Sequence, residues 1–174
     1  SEEQLNQTEY TQVAMLTADV AIYRLLMQEG IAPPQLMAGH SLGEYAALVC
    51  AEALSLRDAL HLVARRGQVM QQAVPLGIGA MAAIVGLTDE QVQDLCTKSS
   101  NAQEQVTPAN YNAIGQVVVA GHAPAIQRAM MLAEEAGARL AKVIPVSVPC
   151  HCPLLLEAAE LFAETLAGVS FKNP

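Results

Sequence analysis

The sequence predicts an α/β chain in two parts, a larger unit split between the two ends of the chain and a smaller βαββαβ block between them. A Gly39-x-Ser41-x-Gly43 turn joins a short apolar run to an Ala- and Leu-rich helix. Gly77 and Gly79 mark a hinge, beyond which the spacing of apolar residues changes. After the last strand, Pro153 opens another amphipathic helix. The larger unit is therefore assigned to 1–74 and 150–174, and the smaller to 75–149.

Apolar residues at Val13, Leu16, Val20, Tyr23 and Met27 predict a helix over Thr8 to Glu29, stopped by Gly30 and by Pro33-Pro34. Gln35 to Ala38 reads as a strand, Gly39 to Gly43 as a sharp turn, and Glu44 to Leu54 as a helix. Ser55, with Asp58 three residues on, caps a helix running to about Val74. The smaller block follows as strand 80–85, helix from the Thr88 cap to about Lys98, strand 106–112, turn at Ile114-Gly115, strand 116–120, helix 124–136 and strand 139–146. That is the ferredoxin-like order. The final helix spans Pro153 to Leu166.

Composition narrows the function. With 174 residues, 52% of them hydrophobic, the chain can bury a substantial core, and with 3% aromatics that core must be built from Ala, Val, Leu, Ile and Met. A formal charge of −8 argues against a nucleic-acid groove, since phosphate binding needs clustered Lys and Arg. Apolar runs are broken well before about 18 residues, so no membrane span is expected. Cys50, Cys96, Cys150 and Cys152 match neither a disulfide framework nor zinc-knuckle spacing, which fits a reduced cytoplasmic compartment. The chain lacks a starting Met and begins inside a helix approach, so it reads as a piece truncated at both ends.

A Gly-x-Ser-x-Gly turn between strand and helix is a nucleophile elbow: small flanking residues permit a strained turn that presents the Ser41 hydroxyl, and the Leu42 N–H faces the developing oxyanion. A serine nucleophile needs a base. His40 adjoins Ser41 on a tight turn and points away, His61 lies on a polar helix face, and His122 sits in a surface turn. His151 follows the Val146-Ser147-Val148-Pro149 segment and precedes the helix opened at Pro153, whose positive end favours a neutral imidazole. A loop-capping role is the alternative for it. Arg66 lies in the apolar stripe of Ala59, Val63, Met70 and Ala73, so an anion must meet it. Either a core Asp or Glu forms a salt bridge with it, or its planar fork binds a substrate carboxylate. Asn110, Asn112 and Gln116 flank the hairpin, where polar residues need no function.

Gly39-His40-Ser41-Leu42-Gly43-Glu44-Tyr45-Ala46-Ala47-Leu48, Arg65-Arg66-Gly67-Gln68-Val69-Met70-Gln71 and Gly79-Ala80-Met81-Ala82-Ala83-Ile84 resemble the malonyl-CoA:acyl carrier protein transacylases. Asn110-Tyr111-Asn112, Gly115 to Gly121 and Pro145 to His151 continue the match in order over essentially the whole chain. The resemblance implies a hydrolase-like large subdomain with a central parallel sheet and an inserted ferredoxin-like subdomain. It also implies Ser41 as nucleophile, His151 as base, Arg66 as clamp for the malonyl carboxylate, the Leu42 N–H as one oxyanion donor, and Asn112 and Gln116 as lining residues. Malonyl-CoA and acyl carrier protein are the implied partners, in fatty-acid synthesis, with no metal or redox cofactor. A first strand carrying a second oxyanion donor is expected before Ser1, and the segment orienting the histidine after Pro174, so this piece by itself is expected to be weak or inactive.

Three other readings compete. A serine hydrolase such as a thioesterase or patatin-like lipase shares the elbow, but Arg66 argues against it, and no Asp between serine and histidine sits at an obvious strand end. A polyketide acyltransferase piece would share every motif. A non-catalytic carrier-binding module has no need of Ser41, His151 and Arg66 together.

Overall fold

The computed structural model describes residues 2–174, so the helix approach read at Ser1 lies outside the described residues. Two compact units form, Ser1–Val69 with Glu160–Pro174, and Met70–Ala159.

In the first unit a short helix α1 (Glu2–Leu5) precedes α2 (Thr8–Gln28), α3 (Gly43–Cys50) and most of α4 (Leu56–Ala73). α2 buries Gln12, Leu16 and Val20, a stripe of period four that faces the core. It ends in a Schellman motif: Ile31 N–H bonds Leu26 C=O at 3.1 Å and Gly30 N–H bonds Met27 C=O at 3.2 Å. Leu16 and Val20 pack with Leu42, Ala46 and Val49 of the α3 region and with Ala59, Leu62 and Val63 of α4. Ser55 caps α4 as its sequence foretells, accepting the Asp58 N–H at 3.0 Å and donating to the Asp58 carboxylate at 2.6 Å.

Gln35 to Ala38, expected as a strand, begins in a bend at Gln35, carries no regular secondary structure and belongs to no sheet. A strand is held by ladder hydrogen bonds to a neighbour. Among the described residues no second strand lies beside this segment, and Leu36 stays 91% exposed.

The second unit holds β1 (Gly79–Val85), α5 (Asp89–Ser99), β2 (Val106–Ala113), β3 (Gln116–His122), α6 (Ala123–Glu135) and β4 (Leu140–Val143). The four strands form one antiparallel sheet in the order β2-β3-β1-β4, so the βαββαβ sequence order folds with its two helix-linked pairs interleaved. Strand alternation sends Ala82, Ile84, Val117 and Val119 to the face covered by α5 and α6, and Met81, Val118 and Ala120 to the other. α5 starts with a reciprocal capping box between Thr88 and Gln91. β4 is shorter than the expected 139–146. Pro145 ends it: the Val146 N–H turns back onto Ile144 C=O at 2.8 Å, a three-residue turn that leaves the ladder. The last helix opens as a 3-10 turn at Pro153–Leu155 and continues as α7 (Leu156–Ala167).

Candidate functional site

Ser41 stands at the turn into α3 with φ of 54°, in the left-handed region where a side chain costs roughly 1–2 kcal/mol. The turn is closed by Gly43 N–H to His40 C=O at 2.9 Å and Glu44 N–H to Ser41 C=O at 3.2 Å. Its tightness falls on one glycine. A Cβ at Gly39 would stand 1.9 Å from the Gly43 carbonyl carbon, whereas a Cβ at Gly43 meets nothing within 4 Å among the described residues. The N–H groups of Gly43, Glu44 and Tyr45 are taken up by the carbonyls of His40, Ser41 and Leu42. The Leu42 N–H has no such acceptor among the described residues, and the Leu42 side chain is buried in the core, which fixes the amide beside Ser41.

Arg66 reaches Ser41 from α4. Its Nη2 donates to Ser41 Oγ at 3.1 Å and its Nη1 to Gln12 Oε1 at 2.7 Å. The guanidinium carbon also lies 5.9 Å from the centre of the Tyr45 ring. Two close approaches create this arrangement. Gly67 lets α4 press on α2, since a Cβ there would stand 2.5 Å from Glu9 Cα. Gln12, only 4% exposed, spans that contact, its Nε2 donating to Thr8 Oγ1 at 2.9 Å.

Of the two partners expected for Arg66, a core Asp or Glu is not found: among the described residues no carboxylate forms an ion pair with it. Its companions are a neutral amide, a hydroxyl and a ring, so among the described residues the positive charge meets no counter-ion. Because guanidinium only donates, Ser41 Oγ accepts in that bond and its own proton is not used in it. Burial raises the Tyr45 hydroxyl above its ordinary pKa, the Arg66 charge pulls it down and Glu44 adds to the rise. The phenol stays neutral.

His151, Asn112 and Gln116 belong to the second unit. His151 is exposed, with φ of 58°, in the turn before Pro153. Its segment is tied to β1: Ile144 N–H bonds Met81 C=O at 2.9 Å, Cys150 N–H meets Met81 Sδ at 3.3 Å, and Pro149 packs on Gly79. Ser147 Oγ donates to Gln71 Oε1 at 2.8 Å. Asn112 and Gln116 are exposed on the β2–β3 hairpin, Gln116 pairing with Ala113 and Val85, and Asn112 lying in a register shift between Tyr111 and Ala113. Of the other histidines, His122 accepts the Gln105 N–H at Nδ1 at 3.0 Å, while His40 and His61 are exposed.

Sequence reasoning passed over Gln12, Tyr45 and Phe162. Gln12 was readable by the logic that found Arg66, as a polar residue four before Leu16 and eight before Val20 on a buried stripe. Tyr45 and Phe162 carry no such mark, because an aromatic at helical spacing is ordinarily packing.

A strained serine beside a guanidinium that has no ion-pair partner, and an amide N–H that has no backbone acceptor, among the described residues suits acyl chemistry on a group that carries its own negative charge. The chain belongs to the acyl transferase domain family, which it matches over residues 1–174. It is 51% identical over 172 residues to the malonyl CoA-acyl carrier protein transacylase of Escherichia coli strain K12, covering 99% of this chain and 55% of that protein. The protein of the same name from Bacillus subtilis strain 168 is 42% identical over 171 residues, 98% of this chain and 54% of its own. Among solved structures, the malonyl CoA-acyl carrier protein transacylase FabD of Coxiella burnetii is similar with a TM-score of 0.97 and 50% identity, over all of this chain and 55% of that one. A type II PKS acyl-carrier protein in complex with its malonyl-transacylase gives 0.95 and 46%, over all of this chain and 56% of that one. The chain thus spans about half the length of the relatives it matches.

Proposed function

We propose that the polypeptide carrying this chain transfers a malonyl group from malonyl-CoA to the phosphopantetheine thiol of acyl carrier protein, as a cytoplasmic step of fatty-acid synthesis. The observation that carries this reading is the 3.1 Å contact between Ser41 Oγ and an Arg66 with no ion-pair partner among the described residues. In a malonyl thioester one methylene separates the free carboxylate from the carbonyl under attack. A hydroxyl and a guanidinium side by side match that spacing. The names of the relatives support the same substrate pair.

In the proposed sequence His151 takes the Ser41 proton as Oγ attacks the thioester carbonyl, and the Leu42 N–H donates to the oxyanion. Collapse breaks the carbon–sulfur bond, the coenzyme A thiol leaves with the proton, and a malonyl-serine ester remains. The carrier thiol, losing its proton to His151, then attacks that ester and Ser41 recovers its hydrogen. Arg66 exchanges its bond to Ser41 for a bidentate hold on the carboxylate, while Asn112 and Gln116 line the approach. Nothing in this sequence calls on a metal or a redox cofactor. The helical unit is read as part of a hydrolase-like subdomain with a central parallel sheet, into which the ferredoxin-like block is inserted; the TM-score of 0.97 to the Coxiella enzyme supports that reading.

Incubating the full-length polypeptide with malonyl-CoA, digesting it and mapping the ester by mass spectrometry should locate malonyl on Ser41. An adduct that persists in Ser41→Ala would sink the proposal. His151→Ala should slow acylation by about 10² to 10⁴-fold with the fold intact. Arg66→Ala should lower the malonyl-to-acetyl ratio of kcat/KM by the equivalent of about 2 to 5 kcal/mol.

A further inference from the structure

Ser41 and Gln12 hold two edges of the Arg66 guanidinium, and the third restraint is an aromatic face. Tyr45 lies four residues beyond Ser41, in the first turn of α3, so the helix that follows the serine turn also carries the ring that meets the arginine. The ring is itself held. Phe162 of α7, in the same unit, meets it edge to face, with centroids 6.5 Å apart and planes at 66°. Tyr45 and Phe162 both pack against the core that contains Leu42, Ala46 and Val63.

An arginine without a carboxylate partner has no strong electrostatic reason to keep one rotamer, and its long side chain favours freedom. A guanidinium over a ring within about 6 Å of the centroid is attracted to the π face, and the attraction strengthens where water is thinned by burial. The 5.9 Å separation falls inside that range. If Arg66 waits already aligned, less ordering is left for the incoming carboxylate to drive.

We propose that Tyr45, backed by Phe162, is a positioning residue that presets the Arg66 fork and thereby sets the preference for an acyl group bearing a free carboxylate. This rests on the reading of Arg66 as the carboxylate clamp. Tyr45 touches no reacting atom; it acts through the arginine.

Steady-state transfer by the full-length polypeptide, with malonyl-CoA and acetyl-CoA as separate donors, tests it alongside a thermal melt. Tyr45→Leu should lower the malonyl-to-acetyl ratio of kcat/KM by about threefold to thirtyfold, chiefly through the KM for malonyl-CoA. Tyr45→Phe keeps the ring and should hold the ratio within about twofold of the parent. Phe162→Leu should shift the ratio in the same direction by less, and keeps the test open should Tyr45→Leu melt too low to assay. In an Arg66→Ala background, Tyr45→Leu should move the ratio no further. Equal losses for both donors, a Tyr45→Phe as damaging as Tyr45→Leu, or effects that add to Arg66→Ala would each overturn the positioning role. An unchanged ratio in Arg66→Ala would remove the clamp and this inference with it. A lowered ratio in Arg66→Ala with an unmoved one in Tyr45→Leu and Phe162→Leu would leave the clamp standing and remove only the inference.

Discussion

In the helical unit a buried amide, Gln12, is hydrogen-bonded at both ends, to Thr8 and to Arg66, and the serine it helps to surround is held at a positive φ. The sheet unit is built otherwise. Its core joins Ala82, Ile84, Val92, Leu95, Val117, Val119, Ile126 and Ala129, all apolar, and its helices are pinned from outside. Thr88 and Gln91 box the start of α5, and Arg128 clasps its end, donating to Ser99 C=O at 2.8 and 2.9 Å and to Glu104 at 2.6 Å. The Ser99 hydroxyl, buried beside that clasp, has no hydrogen-bond partner among the described residues. The helical unit thus gathers backbone strain and internal polarity at its elbow, whereas the sheet unit, apart from the left-handed His151 and the buried Ser99 hydroxyl, is stabilised by ordinary burial and capping.

Ser41→Gly would break this contrast most sharply. In the full-length polypeptide the proposed transfer should fall by at least about 10³-fold, because the proposed nucleophile is gone. Stability should hold or rise by up to about 1 kcal/mol as glycine relieves the left-handed backbone, offset in part by the lost bond to Arg66. Chemical denaturation of Ser41→Gly beside its parent measures both, and a clear loss of stability would show that Ser41 is not strained.

The apolar core of the sheet unit makes its own forecast. Burial pushes the Cys96 thiol up to about 12, from its ordinary value of 9.0. A folded-state pKa above the unfolded one contributes stability that is complete below the unfolded value and is lost as pH rises through the folded one. Between pH 9 and 12 the unfolded chain sheds a proton that the folded chain keeps, so stability should decline by up to about 1.4 kcal/mol per pH unit from this group. Melts of the wild type and of Cys96→Ala across pH 8 to about 11 should show a shallower alkaline fall in the variant.

Within the elbow, Gly39→Ala should cost about 1–3 kcal/mol, since its Cβ strikes backbone, whereas Gly43→Ala should stay within about 0.5 kcal/mol. Equal effects would mean that the turn is tight on both sides. The smallest change belongs to the sheet unit: Thr88→Ala should cost about 1 kcal/mol through the lost cap, with the transfer rate untouched, measurable by urea denaturation.

The sequence by itself determined the helices, the βαββαβ order, the caps at Ser55 and Thr88, and the inward set of Arg66. Each follows from interactions among near neighbours: a period of 3.6 or 2, a hydroxyl three residues before an N–H, a proline where no N–H is needed. Tertiary structure decided the rest. Residues 35–38 look like a strand because apolar runs favour extension, yet a strand exists only when another segment supplies its ladder, and no local pattern carries that information. The same holds for the partners of Arg66. Spacing along α4 turned the arginine inward, but only the approach of α2 across Gly67 brought Gln12 to it, and only the turn into α3 brought Ser41 and the Tyr45 ring. A guanidinium will accept any acceptor or π face within reach. Which of them reaches it is settled by contacts between residues as far apart in the chain as Gln12 and Arg66.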